Sequence, residues 1–321
     1  LVQQADTQTA REPLGYAESL WNYFRGWRYP FFGTIFLYSL MVLGWVSLGG
    51  GLANPRTSIT HLALGLLAAV FLLFGIFLIN DAADRHVDAR VHPDRPIPQG
   101  RAAWQHIMGT AVGLMLAACA VSLLVNRQSF AVAVAMTTYA FFFYGWAKGG
   151  LQAPGSSEIL TPVVSALFPL YGLSVAGCSD ARVILGTVGY IYLADLAQDL
   201  LGGIHDQRGD QAGNVRTFAL AIGTHRTLRL SLGICVLATL AGGSLVAFGL
   251  AGPVYGAVLA ALSVANFVLY ARLFRAANAK PGDDPVVLAA ADRTNHLAGM
   301  FYFLVSAAIF VDHVARRVMP R

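Results

Sequence analysis

Residues His61–Arg101 read HLALGLLAAVFLLFGIFLINDAADRHVDARVHPDRPIPQGR. The first half is an unbroken apolar run, and the second half opens at once on carboxylates. An apolar run of about 20 residues crosses roughly 30 Å of hydrocarbon as a helix. Asn80, Asp84 and Asp88 then follow at intervals of four, which sets them along one face if the helix continues beyond the membrane. Like charges stacked at that spacing repel unless a cation sits among them. Oxygen-only ligands beside a membrane surface favour Mg²⁺, which keeps several waters and shares its shell with substrate phosphate. The other reading is a solvated acidic helix end, and one such cluster fits both.

Outward from this stretch, apolar runs recur along nearly the whole chain of 321 residues. Only 12% of residues are charged and the mean hydropathy is +0.58, whereas a soluble domain carries about 25% charged residues. Membrane spans are expected near 30–50, 61–83, 104–125, 129–147, 159–178, 183–203, 227–250, 253–274 and 296–315. The runs are continuous, not alternating, which excludes a transmembrane β-barrel. The predicted fold is all-α and integral to the membrane: about nine helices in one bundle, with two Asp-rich cytoplasmic loops. No soluble module is evident, so residues 1–321 read as a single transmembrane domain.

Residues 1–28 form an N-terminal arm without an apolar core, so no cleavable signal peptide is expected. Trp21, Tyr23, Phe24, Trp27 and Tyr29 alternate there with Arg25 and Arg28, a mix suited to a helix lying at headgroup level. Of 22 Lys and Arg, all but Arg56, Arg127, Arg182, Arg316, Arg317 and Arg321 fall on one side of the expected topology. The positive-inside rule places that side in the cytoplasm. The formal charge of +5 therefore reads as topology and not as a nucleic-acid footprint. The protein is expected to be multi-pass, in the plasma membrane, with its site toward the cytoplasm. Cys119, Cys178 and Cys235 are scattered in apolar runs and give neither a disulfide framework nor zinc spacing. His86, His92 and His205 likewise lack the pairing a zinc site needs.

A second acidic segment, Asp195–Asp210, reads DLAQDLLGGIHDQRGD. Asp206 and Asp210 repeat the i, i+4 spacing, and Asp199 lies two turns before Asp206 on the same face. This cluster ends the sixth span, four helices after the second span that carries the first, which suggests two related four-helix halves plus a ninth helix. Two carboxylate clusters on one side of a membrane bundle fit a cage for two or three Mg²⁺ around a diphosphate.

The order NDxxDxxxD, DRPIPxGR, DxxxxxxDxxxD and GxxRT resembles the UbiA superfamily of intramembrane prenyltransferases along the whole chain. The resemblance implies that Asn80, Asp84, Asp88, Asp206 and Asp210 hold Mg²⁺ and diphosphate, with Asp199 as a further acidic member. It also implies that Tyr144 and Lys148, in YGWAK, and Arg28 and Arg216 contact the substrate; each of the basic residues has an alternative role as an interfacial anchor. Among Tyr139, Phe141, Phe142, Phe143, Phe168, Tyr171, Tyr190 and Tyr192, some are expected to line an isoprenoid tunnel.

The implied activity is Mg²⁺-dependent ionisation of an isoprenyl diphosphate with transfer of the prenyl group to a lipophilic or aromatic acceptor. A terpene cyclase of the same superfamily would share every one of these motifs. A secondary transporter is the alternative from another class, but transporter sites lie near the bilayer midplane. Two positions depart from the ubiquinone-type pattern. Gly202 stands where a tyrosine is usual, and the Gly202–Gly203 pair is expected to leave room for a bulky acceptor. Asp195 adds a carboxylate one turn deeper than Asp199, about 6 Å at 1.5 Å per residue. It is expected to act on the hydrocarbon or acceptor end, or to bond a neighbouring helix.

Overall fold

The computed structural model describes residues 14–26, 31–52, 59–147, 153–213, 215–282 and 284–318, and every regular element among them is a helix. In order these are α1 (Tyr16–Arg25), α2 (Phe31–Leu48), α3 (Ile59–Ala83), α4 (Arg85–Val91), α5 (Trp104–Val125) and α6 (Arg127–Phe142). A π-helical turn, Phe143–Ala147, ends α6. There follow α7 (Ser156–Val175), α8 (Ala181–His205), α9 (Gln207–Gly213), α10 (Phe218–Ile222), α11 (Thr224–Ala247), α12 (Pro253–Ala279) and α13 (Pro285–Val318).

Each expected span falls on one helix. Seven of these (α3, α5, α7, α8, α11, α12 and α13) are long and apolar enough to cross a membrane. The other two, α2 and α6, are shorter. The last span differs most from expectation: α13 begins at Pro285, eleven residues before the expected start at 296. Asp292 and Arg293 make its first turns too polar for hydrocarbon. Proline at the first helical position and the run Ala289–Ala291 nevertheless favour helix, so α13 projects beyond the membrane.

In a bilayer, helices associate through close packing and interhelical hydrogen bonds, because lipid is as apolar as they are. Half or more of the apolar stretches of α3, α7 and α8 are buried in protein, against 17% for α12. Helix α3 packs on α5; α8 packs on α7 and α11; α13 closes the bundle against α2, α8 and α12. Pro162 and Pro169 interrupt the backbone ladder of α7, which is tolerated where neighbouring helices satisfy the freed groups.

Two short helices extend the bundle at one end. Asp84 keeps right-handed helical angles (φ −76°, ψ −2°), so α4 continues the rise of α3. Its N–H donates to the Asn80 carbonyl at 2.9 Å, and its own carbonyl accepts from Asp88 at 2.8 Å. The α8–α9 junction is built the same way. Asp206 N–H donates to Gly202 O at 2.8 Å, and Asp206 O accepts from Asp210 N–H at 2.9 Å. Helices α4 and α9 then pack against one another, so the two acidic ends meet.

Candidate active site at the facing acidic helix ends

At the first end, the carboxylates are held by residues distant in sequence. The Tyr23 hydroxyl donates to Asp81 Oδ2 at 2.5 Å, tying α1 to the end of α3. Asn80 Nδ2 donates to Asp81 Oδ1 at 3.4 Å. Asp88 is buried and takes a charge-assisted bond from Arg95 Nη1 at 2.6 Å. Burial pushes the Asp88 carboxyl up from its ordinary range; Arg95 pulls it back, while Asp84 and Asp81 push it further up. Asp81 and Asp88 share a small pocket with Tyr23, Arg95 and Pro96. The Arg85 guanidinium lies over the Trp104 ring, 4.3 Å from its centre.

At the second end, His205 Nε2 stands 3.6 Å from Asp206 Oδ1 and 3.7 Å from Asp292 Oδ1 of α13. Asp292 also receives His296 Nδ1 at 3.0 Å. The polar first turns of α13 therefore belong to the rim of the site. Burial, together with Asp206 and Glu158 nearby, pushes the Asp210 carboxyl up to about 7. Glu158 was not anticipated: Oε1 accepts from Phe218 N–H at 2.9 Å, and a Cβ at Gly203 would come within 3.0 Å of that oxygen. The room at Gly203 is thus taken by Glu158, while Gly202 faces Asn295 of α13. Gly155, with φ +78°, lies so close to the Phe218 ring that any Cβ would collide with it. This contact, with Gly155 N–H donating to Arg216 O at 2.9 Å, fastens the segment bearing Arg216 to the start of α7.

Tyr144 lies in the π-helical turn that ends α6. Asp84 of the first cluster and Asp199 and Asp195 of the second all lie within electrostatic reach of its phenol. π-Turns within helices are frequent at functional sites because they re-aim one side chain. Asp195 is buried, with Ser165 of α7 near its carboxyl. Tyr38 also stands near Tyr144. Its ring meets Phe77, Phe168 and Phe303 edge-on, with centroid separations of 6.3, 5.5 and 5.1 Å. Of this aromatic nest only Phe168 was among the anticipated rings. Tyr139 and Tyr192 instead donate to the carbonyls of Leu160 and Ile159, and Tyr171 bonds Ser122.

The donor set tests whether Mg²⁺ suits the site. All the candidate ligands offer oxygen, and Asp88 and Asp210 have carboxyls that a nearby cation would relieve. Among the described residues no three His, Cys, Asp or Glu side chains stand close enough to form a metal centre by themselves. The residues therefore fit an ion that takes part of its shell from water and diphosphate. Arg28 and Lys148 lie outside the described residues. The Arg216 side chain is exposed at a separate surface hollow beside Gln211 and Leu220.

Helices spanning a membrane, with carboxylates from two helix ends facing across a tyrosine and an aromatic nest close by, define a polytopic membrane protein built around one acidic mouth. The chain belongs to the UbiA prenyltransferase family, whose model matches residues 40–291. A digeranylgeranylglyceryl phosphate synthase from Natronomonas pharaonis is 30% identical over 214 residues, covering 65% of this chain and 73% of that enzyme. Matches to two more synthases of that name span 63% and 61% of their lengths. A solved structure of a digeranylgeranylglyceryl phosphate synthase superposes with a TM-score of 0.70 at 16% identity, covering 94% of this chain and 99% of that one. A UbiA homologue from Archaeoglobus fulgidus bound to DMAPP and Mg²⁺ gives 0.62 at 17% identity, covering 89% and 98%. At those identities the structures establish the fold alone.

Proposed function

We propose that this prenyltransferase ionises an isoprenyl diphosphate at the acidic mouth and transfers the prenyl group to a lipophilic acceptor. The packing of α4 against α9, which brings the two acidic helix ends together, carries this reading. The names of the relatives favour a glyceryl phosphate lipid as the acceptor class. The excess of Lys and Arg on that side favours the cytoplasmic face of the plasma membrane.

Asn80, Asp84, Asp88, Asp206 and Asp210 would hold Mg²⁺ with the diphosphate. When bound, the metal stabilises negative charge growing on the leaving group. Arg28 and Lys148 would supply further positive charge, and Tyr144 would orient the diphosphate by a hydrogen bond; the exposed Arg216, at its separate hollow, is not part of this set. The allylic C–O bond breaks and its electron pair leaves with diphosphate. The π faces of Tyr38, Phe77, Phe168 and Phe303 stabilise the allylic cation, and the helices keep water from it. An acceptor oxygen or carbon then forms the new bond and releases a proton, for which Asp195 is the candidate recipient.

The test uses purified protein in detergent with geranyl, farnesyl or geranylgeranyl diphosphate. Mg²⁺-dependent diphosphate release is expected, with a prenylated acceptor found by mass spectrometry only when acceptor is supplied. Cyclised hydrocarbon formed without acceptor would replace this reading with a terpene cyclase.

A further inference from the structure

A second chamber lies behind α8, walled by α8, α11, α12 and α13. It holds about 40 Å³ of free space, room for a hydroxyl group or a few water-sized groups. Helix geometry separates it from the acidic mouth. Tyr190, Ala194, Ala197 and Gln198 line it, whereas Asp195 and Asp199 lie on another face of the same helix.

Most of its wall is apolar, but its polar groups are arranged with a consistent bias. Gln198 Nε2 donates to the Asn295 carbonyl at 3.2 Å, which fixes the orientation of that amide. Asn266 Nδ2 donates to Cys235 Sγ at 3.2 Å, Thr239 Oγ1 to the Cys235 carbonyl at 3.0 Å, and the Tyr270 hydroxyl pairs with Ser231 at 2.6 Å. These four donors are therefore engaged. Gln198 Oε1 and Asn266 Oδ1 are buried without a hydrogen-bond partner among the described residues. Gln198 is held in place by Gly299 of α13, where a Cβ would collide with its amide nitrogen.

Two unmatched acceptors within hydrocarbon depth call for a guest that donates. The chamber lies among membrane helices whose outer faces are apolar: Val264, Val268 and Met300 are exposed on α12 and α13. A guest arriving from that side has an apolar body. We propose that this chamber binds the hydroxyl end of a neutral lipid, at a site separate from the diphosphate mouth. The hydroxyl donates to Gln198 Oε1 or Asn266 Oδ1, and the first carbons of the chain lie against Leu259, Leu262 and Phe301.

Native mass spectrometry of the delipidated full chain tests this with octadecanol and its methyl ether, which has the same body but no donor. One equivalent of alcohol is expected to remain bound, with at least about tenfold weaker retention of the ether. Asn266→Leu should weaken alcohol binding about tenfold while diphosphate release stays unchanged. Ala298→Leu, which fills the chamber and removes no polar group, should do the same and answers the question if Asn266→Leu fails to fold. A non-hydrolysable farnesyl diphosphate analogue should not displace the alcohol. Equal retention of alcohol and ether, no retention of either, indifference to both variants, or displacement by the analogue would each overturn the proposal. None of these outcomes bears on whether the acidic mouth ionises a diphosphate.

Discussion

The two acidic helix ends share a backbone design and differ in how their charges are compensated. At the first, Tyr23 holds Asp81 at 2.5 Å and Arg95 holds Asp88 at 2.6 Å. At the second, the contacts to Asp206 come from a histidine at 3.6 Å, and Asp210 is pushed up to about 7 by burial, Asp206 and Glu158. The first end is set by its own protein partners before any ligand arrives. The second is the more electrostatically incomplete and gains more from a cation. A site built this way has one rigid wall, with the energetic response to metal concentrated on the other.

The largest expected effect does not distinguish the walls. Asp84→Ala and Asp206→Ala should each lower diphosphate release by at least about 10²-fold, because each removes a group whose benefit grows as charge develops. Both variants should purify as folded protein. Near-normal turnover of either at saturating Mg²⁺ would dissolve the two-sided site. For Lys148, Ala is expected to cost about tenfold or more and Arg to restore part of the loss, since charge survives while geometry changes. Equal rates in all three proteins would make Lys148 an interfacial anchor.

A smaller effect, a few-fold in kcat or in product ratio, is expected for Asp195→Asn. Asp195 is buried one turn below Asp199 with Ser165 nearby, and a carboxylate at membrane depth requires a partner or a task. Asparagine keeps the shape and loses the charge. Unchanged kinetics and product would reduce Asp195 to a tie between α7 and α8. A raised Mg²⁺ requirement would place it with the metal ligands.

Spacing alone was enough to read the helices and the acidic faces. Residues 104–125 were expected as a span and are a helix over that same range. The i, i+4 rows at Asn80–Asp88 and Asp206–Asp210 remain helical through their junctions. Hydropathy marks the span at 296–315 but not the start of α13 at Pro285, because it measures suitability for lipid, and a helix can leave lipid and continue. Partner choice was illegible for another reason. The Tyr23–Asp81, Glu158–Phe218 and Asp206–His205–Asp292 contacts join segments that only tertiary packing brings together. The aromatic nest around Tyr38 draws one ring from each of four helices, and no periodicity within a single helix announces such a meeting. A residue left over from each helix's apolar pattern, such as Asp81 beside Asn80, was the available signal.

The smallest effect bears most directly on the comparison, because its size should differ between the two ends. In metal-free protein at pH 8, Asp88→Asn should shift the melting temperature less than Asp210→Asn, since burial pushes the Asp88 carboxyl up but the bond from Arg95 offsets part of that cost. A hydrogen bond to a charged group contributes about 1.5–3 kcal/mol. Asp210→Asn should raise it. The folded Asp210 carboxyl titrates near 7, above its ordinary value of 3.8. Its contribution therefore favours folding below the unfolded pKa and is lost as pH rises through about 7. Removing the charge avoids that loss; for a partly solvated carboxyl the gain is discounted to about 1 kcal/mol, or a few degrees. The Asp210→Asn gain should shrink as pH falls from 8 to 5, where the wild-type group is itself protonated. Saturating Mg²⁺ should raise the melting temperature of the wild type, and Asp210→Asn should lose most of that rise. Melting scans in EDTA and in Mg²⁺ across this pH range measure all of these quantities. If both variants shift by the same amount in EDTA, the two ends are electrostatically equivalent and the asymmetry between the walls is absent.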